Sequence, residues 1–158
     1  IRDRYCKEMI QMQSSYNLAT AGEQKEAQAY ELAVRYYQAS CYGDCWFLTH
    51  YSHSVNDSAR AGELDFAAKA IDYLRQSSRS ANLNTQYKSL YALAFIDIEP
   101  WYEVTYDSEY NLVIIPHTAS AQYKALAALS RFAHEHPQNI DRYTTRCDVL
   151  KQFEKLSE

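Results

Sequence analysis

The chain has 158 residues but only 3 Gly and 3 Pro, whereas average usage of roughly 7% and 5% would supply about 11 and 8. Sheet-rich folds, collagen-like repeats and disordered linkers use these residues heavily, so the composition favours an all-α fold. The formal net charge is −4, and the 16 basic residues form no stripe, which argues against nucleic acid as a partner. No apolar run approaches the ~18 residues that a membrane span needs.

The length predicts a single domain, 1–158, that can bury a core without metal or disulfide support. The chain begins at Ile1 and no signal-peptide pattern follows, so we expect it to be part of a longer chain. Its four cysteines are too few for a disulfide scaffold and are expected to be buried thiols. They do not indicate a compartment.

The spacing of apolar residues predicts six helices, over 2–20, 23–42, 63–79, 86–97, 119–134 and 140–156. In the second of them the apolar steps of three and four residues run through Ala27, Tyr30, Val34, Tyr37 and Cys41. Thr118 and Asn139 are the predicted N-caps of the last two helices. The tyrosines at helical spacing are interpreted as packing residues between helices: Tyr30, Tyr36, Tyr37, Tyr73, Tyr87, Tyr91, Tyr123 and Tyr143.

Two inserts of about twenty residues, 42–62 and 97–118, separate the predicted helices. Both tryptophans and several tyrosines lie in these inserts. In the second insert, apolar residues over 101–106 and 112–115 flank the polar run Asp107-Ser108-Glu109. This pattern predicts a small β-hairpin.

The helices also show a weak internal repeat. Ala29-x2-Leu32-Ala33-x2-Tyr36 recurs 58 residues later as Tyr87-x2-Leu90-Tyr91-x2-Ala94, and Ala67-x3-Ile71 recurs 61 residues later as Ala128-x3-Phe132. These spacings fit the helix pairs of a tetratricopeptide repeat that is lengthened by the inserts. We therefore predict antiparallel helix pairs with two irregular, aromatic-rich inserts on one face.

The runs AYELAVRYYQASCYGDCWFLTHYS, DFAAKAIDYLRQS, YKALAALSRFAHEHP and RCDVLKQFEKL resemble the tetratricopeptide-like helical domains of large exported proteins of Bacteroidetes-type bacteria. The resemblance covers most of 23–156 and concerns architecture rather than chemistry. It implies an α-helical scaffold for protein interaction within a longer, envelope-associated chain. The sequence departs from the repeat pattern where Ala33 and Tyr91 occupy positions of the repeat glycine, which favours a compact unit over an open groove.

No motif for nucleophilic catalysis or phosphate binding is present in the sequence, and we expect neither enzymatic activity nor a cofactor. Cys41-x3-Cys45 lacks a second ligand pair, and His134 and His136 point to different sides of a helix, so no metal site is predicted. The insert acids Asp97, Glu99, Glu103, Asp107 and Glu109 could form a glycosidase-like carboxylate pair, but a solvated acidic loop is the simpler interpretation.

The insert aromatics are the candidate binding residues: Trp46, Phe47, Tyr51, Trp101, Tyr102, Tyr106 and Tyr110. Insertions in repeat proteins tend to project from the binding face, and Tyr and Trp dominate contact energies. One alternative is that the same rings anchor the inserts onto the helices. The sequence thus predicts a scaffold that binds a protein or another domain of its parent chain. The alternative function is carbohydrate binding, with Asp107, Glu109 or Asn111 binding hydroxyl groups of a glycan.

Overall fold

The computed structural model describes residues 1–48, 66–96 and 99–157, and within these ranges the chain is mostly helical. Its α-helices are α1 (Arg2–Leu18), α2 (Glu23–Gln38), α3 (Phe66–Ser77), α4 (Leu83–Phe95), α5 (Ala121–Glu135), α6 (Arg142–Thr145) and α7 (Asp148–Ser157). Two strands, β1 (Tyr102–Tyr106) and β2 (Leu112–Pro116), form an antiparallel hairpin. The predicted mainly helical class and the predicted hairpin are confirmed.

The chain divides into two compact units, Ile1–Gln86 and Tyr87–Glu158. We call them unit 1 and unit 2. The division falls within α4, and each unit is described by itself.

In unit 1, α2 packs against both α1 and α3. Most of the fully buried side chains at the α2–α3 contact are small, which lets the helix backbones approach closely: Ala29, Leu32 and Ala33 from α2, and Ala67, Ala70 and Leu74 from α3. These two helices are adjacent, as predicted for a helix pair. In contrast, α1 contributes no fully buried residue.

The second helix is shorter than predicted, because α2 ends at Gln38 instead of residue 42. The chain turns back at this point, and the Cys45 N–H donates to the carbonyl oxygen of Gln38 at 2.8 Å. Gly43 permits the turn, since a Cβ at this position would lie 2.2 Å from the carbonyl oxygen of Tyr37. The predicted start of the next helix, at residue 63, lies outside the ranges that the structure describes.

In unit 2, α5 packs against α7. Their buried side chains are Leu126, Leu129 and Phe132 from α5, and Leu150 and Phe153 from α7. Tyr87 of α4 stacks on the Phe132 ring with the centroids 6.0 Å apart, and its hydroxyl group hydrogen-bonds to Thr144 Oγ1 at 2.7 Å. Tyrosine therefore serves as a packing residue here, as predicted. Tyr143 differs, because 65% of it is exposed.

The starts of α4 and α5 differ from the predictions, and a side-chain cap marks each of them. α4 begins three residues early, since Asn82 Oδ1 accepts from the Thr85 N–H at 3.1 Å. The cap of α5 is Ser120, whose Oγ accepts from the Tyr123 N–H at 3.1 Å, so the assignment to Thr118 was wrong. Asx and serine oxygens compete for the same backbone donors, and the apolar periodicity does not distinguish them.

The predicted helix over 140–156 is two helices, α6 and α7. Asp141 caps α6 by accepting from the Tyr143 and Thr144 N–H groups, both at 2.9 Å, so the assignment of the cap to Asn139 was wrong. The Thr145 hydroxyl donates to the carbonyl oxygen of Arg142 at 2.9 Å. Threonine hydroxyls that bond to the preceding turn compete with the helical ladder, which accounts for the break after Thr145.

Mutation can test whether Ser120 or Thr118 caps α5. Replacing Ser120 with alanine should lower the free energy of unfolding by about 0.5–2 kcal/mol, because the cap hydrogen bond is lost. Thr118→Ala is the matched control and should change it by less than about 0.5 kcal/mol. Urea denaturation followed by circular dichroism measures both values, and an equal effect of the two variants would contradict the assignment.

Candidate functional site

The structure distributes the predicted aromatic residues between the two units. Trp46 and Phe47 lie in unit 1, in a 3-10 turn over Trp46–Leu48. Four others lie in unit 2, on the hairpin or directly beside it: Trp101, Tyr102, Tyr106 and Tyr110. Tyr51 lies outside the residues that the structure describes.

In unit 1, the rings of Trp46 and Phe47 meet edge to face with centroids 6.5 Å apart. Trp46 is half-buried and Phe47 is exposed. The Arg2 guanidinium donates twice to the carbonyl oxygen of Phe47, with Nη2 at 2.7 Å and Nε at 3.2 Å. These hydrogen bonds attach the turn to α1.

In unit 2, Trp101 is only 2% exposed. Its ring contacts Tyr102 at 4.7 Å and Phe153 of α7 at 5.5 Å between centroids. Its backbone N–H donates to Gln122 Oε1 at 3.0 Å, and its carbonyl oxygen accepts from the His117 N–H at 2.7 Å. For this residue the observations favour the alternative of an anchor, which holds the base of the hairpin on the helices.

The turn of the hairpin is fixed by Asp107. One carboxylate oxygen accepts from the N–H groups of Glu109 (2.8 Å) and Asn111 (2.9 Å), and the other accepts from Asn111 Nδ2 at 3.0 Å. The hydrogen bond from the Asn111 side chain is the main cause that lowers the pKa of Asp107, followed by the bond from the Asn111 backbone. Tyr110 adopts a φ of 62° in this turn, and its side chain is 87% exposed.

Beyond its base, the hairpin exposes apolar side chains on both faces. Tyr102, Val104 and Tyr106 share one face with their cross-strand partners Pro116, Ile114 and Leu112, while Val113 and Ile115 lie on the other face. We define the hairpin surface as the exposed apolar residues of this segment: Val104, Tyr106, Tyr110, Leu112, Val113 and Ile115.

The four aliphatic residues of the hairpin surface were not among the predicted site residues. The signal for three of them was present in the run from Leu112 to Ile115, which is apolar at consecutive positions instead of alternating. Since neighbouring side chains of a strand point to opposite faces, such a run places apolar groups on both. In a two-stranded hairpin at least one of these faces can stay uncovered.

Within the described residues, the outer edge of β1 carries backbone groups that pair with no other strand. The pairs Trp101–His117 and Asp107–Asn111 are joined by backbone hydrogen bonds, and bonded and non-bonded pairs alternate along an antiparallel ladder. The N–H and C=O groups of Tyr102, Val104 and Tyr106 therefore face away from β2. In the described part of the chain the sheet has two strands, so this edge has no strand beside it.

The hairpin is acidic. Between Lys88 and Lys124 the sequence contains no Lys or Arg but five acidic residues: Asp97, Glu99, Glu103, Asp107 and Glu109. In the described hairpin, Glu103 lies 3.5 Å from His117 Nε2, and this contact is an ion pair only when the histidine is protonated. The segment therefore carries a local excess of negative charge.

In the described parts of the chain, the other sequence candidates show no arrangement for chemistry. Cys41 and Cys45 follow the end of α2 and do not share a helical turn of it. The expectation of buried thiols was wrong, because Cys6 and Cys41 are exposed and Cys45 and Cys147 are only half-buried. His134 contacts Glu154 at 3.3 Å, whereas the His136 ring lies against Phe132. Among the described residues, no three His, Cys, Asp or Glu side chains form a group that could hold a metal, and no helix is long and apolar enough to cross a membrane.

Comparison of the chain with family models, with curated proteins and with solved structures gave no match. The candidate site therefore rests on its own geometry.

The roles of the buried and exposed hairpin rings can be tested by truncation. Trp101→Ala should lower the free energy of unfolding by about 3–5 kcal/mol, as for other buried aromatic side chains. Tyr106→Ala, on the exposed part of the same hairpin, should change it by less than about 0.5 kcal/mol. Chemical denaturation measures both, and a small effect of Trp101→Ala would show that this ring is not an anchor.

The lowered pKa of Asp107 predicts how the turn responds to acid. Because the folded-state pKa lies below the ordinary 3.8, the carboxylate stabilises the turn above that pH and loses this effect as the pH falls through the folded-state value. The amide resonances of Glu109 and Asn111 should therefore keep their positions down to below pH 3.8 in a nuclear magnetic resonance titration. Asp107→Ala should shift them at neutral pH, whereas Glu109→Ala should leave the resonance of Asn111 nearly unchanged.

Proposed function

We propose that this chain is a non-catalytic protein-interaction module that binds its partner through the hairpin surface. The observation that carries the proposal is the hairpin of unit 2, which exposes apolar side chains on both faces next to a backbone edge that no other described strand pairs with. An exposed edge of this kind is a template for pairing with another chain. The same proposal includes a tetratricopeptide-like scaffold, which the adjacent packing of α2 and α3 supports.

The proposed occupant is an extended segment of a partner protein that adds a strand to β1. In this mode of recognition, main-chain hydrogen bonds give affinity and alternate side chains give specificity. The edge of β1 is more suitable than that of β2, because Pro116 has no N–H to donate on the β2 side. The acidic residues Glu103 and Glu109 favour a segment that alternates basic and apolar residues.

The residues of this insert favour a protein partner over a glycan. The Trp101 ring, which would stack on a sugar, is buried. Asp107 accepts three hydrogen bonds within the turn, and Asn111 donates two of them. These hydrogen bonds within the turn already use much of the bonding capacity of Asp107 and both donor groups of Asn111, which favours a structural role for the two residues.

The proposal can be tested with a short peptide of alternating valine and lysine. Its addition to the isotope-labelled protein should shift the amide resonances of residues 102–116 in heteronuclear spectra, and salt should weaken the effect because the charges are exposed. An alternating valine–glutamate peptide should not bind. A valine–lysine peptide with alternate N-methylated amides should lose most affinity, because it cannot pair with a strand along the methylated edge.

Two proline variants identify the edge that is used. Val104→Pro removes an outward-facing N–H of β1 without removing a ladder hydrogen bond, and it should weaken peptide binding about tenfold or more because several edge hydrogen bonds are lost. Ile114→Pro is the matched change on β2 and should leave affinity nearly unchanged. Circular dichroism checks that both variants fold. Equal binding of the N-methylated peptide, or resonance shifts outside the hairpin, would contradict the proposal.

A further inference from the structure

A second candidate site lies in unit 1, where α1, α2 and α3 line a shallow cavity of about 420 Å³ that is open to solvent. Its lining contains three tyrosines and five polar or charged residues: Gln13, Tyr16, Asn17, Tyr36, Lys69, Asp72, Tyr73 and Gln76. Among the described residues of the lining none is aliphatic, and its rings are those of the three tyrosines. This differs from the usual small-molecule pocket, which is mostly apolar.

The half-buried residues of the cavity hold each other in place. The rings of Tyr36 and Tyr73 stack with an interplanar angle of 5° and centroids 5.8 Å apart, and Tyr16 meets Tyr73 edge-on at 5.2 Å. Gln13 Oε1 accepts from the Tyr73 hydroxyl at 2.9 Å and from the Tyr36 hydroxyl at 3.3 Å. This wall is therefore positioned before any ligand arrives.

The exposed residues of the cavity retain hydrogen-bonding capacity. Asn17 Oδ1 accepts from Gln13 Nε2 at 3.1 Å, and Gln76 Oε1 accepts from the Tyr16 hydroxyl. These bonds use the amide oxygens, and within the described ranges the NH2 groups of Asn17 and Gln76 make no hydrogen bond. The Lys69 ammonium lies 5.5 Å from the centre of the Tyr36 ring, and the Asp72 carboxylate pairs with the exposed Arg75 at 3.5 Å.

We propose that this cavity binds a saccharide of one or two sugar units. A sugar presents C–H groups that pack on tyrosine rings and many hydroxyl groups that pair with amide, ammonium and carboxylate groups. The polar character of the described lining residues argues against an apolar ligand. Among these described residues Lys69 is the one cationic side chain, and Asp72 stands one helical turn away, which argues against a polyphosphate.

The site would also link α1 to α3. No residue of α1 is fully buried, and at this cavity α1 meets the other helices through hydrogen bonds of Gln13 and Tyr16. A sugar held between Asn17 of α1 and Gln76 of α3 would add contacts that exist only while α1 is docked. Because a ligand stabilises the state that binds it, sugar binding should slow amide hydrogen exchange in α1.

The test uses D-glucose, D-galactose, N-acetyl-D-glucosamine and D-glucuronate as probes, with saturation-transfer nuclear magnetic resonance and hydrogen exchange on the whole chain. At least one probe should receive saturation, shift the resonances of the cavity residues and protect the amides of α1. Gln76→Ala should weaken binding about three- to tenfold through the loss of a hydrogen bond, whereas Gln38→Ala, an exposed glutamine at the end of α2, should not. Lys69→Gln should weaken D-glucuronate more than the neutral sugars.

The outcomes that overturn the proposal are equally specific. Absence of saturation transfer to all four sugars excludes it, and so does sugar binding whose resonance shifts map to residues 102–116 instead of the cavity. Binding that does not protect α1 excludes the link between α1 and α3. Circular dichroism of the exposed-site variants confirms that they fold. Because Val104→Pro changes unit 2 alone, its effect on peptide binding is separate from every result with sugars.

Discussion

The burial of Trp101 is the contact on which the hairpin of unit 2 depends. A two-stranded hairpin is marginal in water unless it packs against another element. Here the Trp101 ring lies between Tyr102 and Phe153 of α7, while Gln122 of α5 accepts from the Trp101 N–H. With its base held in this way, the rest of the hairpin keeps its form through the strand ladder and the Asp107 turn, and its apolar residues can stay exposed.

Tyrosine has two roles in this chain: it packs in a core, and it lines a cavity. The hydrogen-bond partner of the hydroxyl group differs between the two. In unit 2, Tyr87 stacks on Phe132 and binds Thr144, so both its ring and its hydroxyl are used in the core. In unit 1, the hydroxyls of Tyr36 and Tyr73 converge on a single acceptor, Gln13. The rings of these tyrosines and the amide of Gln13 therefore line a cavity and do not fill it. One abundant residue type thus builds both a core and a polar cavity.

The sequence was sufficient for features that depend on local patterns. The apolar periodicity located most helices, and the polar run Asp107-Ser108-Glu109 between two apolar runs located the hairpin turn. The errors arose where competing donors and acceptors decide the structure: Ser120 caps α5 instead of Thr118, and Thr145 bonds back to Arg142 where one helix was predicted. The sequence also did not determine which rings of the insert are buried. Trp101 and Tyr106 lie in the same apolar run over 101–106, yet Trp101 is 2% exposed and Tyr106 is 65% exposed. The tertiary contacts of Trp101 with Phe153 and Gln122 distinguish the two residues.

The negative charge of the hairpin limits which strands can pair favourably with its exposed edge. An unpaired apolar strand edge can pair with any similar strand, including that of a second copy of the same chain. Two copies of this hairpin would bring two acidic segments together, and like charges on neighbouring strands are unfavourable. A basic segment meets the same edge with the opposite sign. The charge that discourages self-pairing is thus the charge that selects the proposed partner.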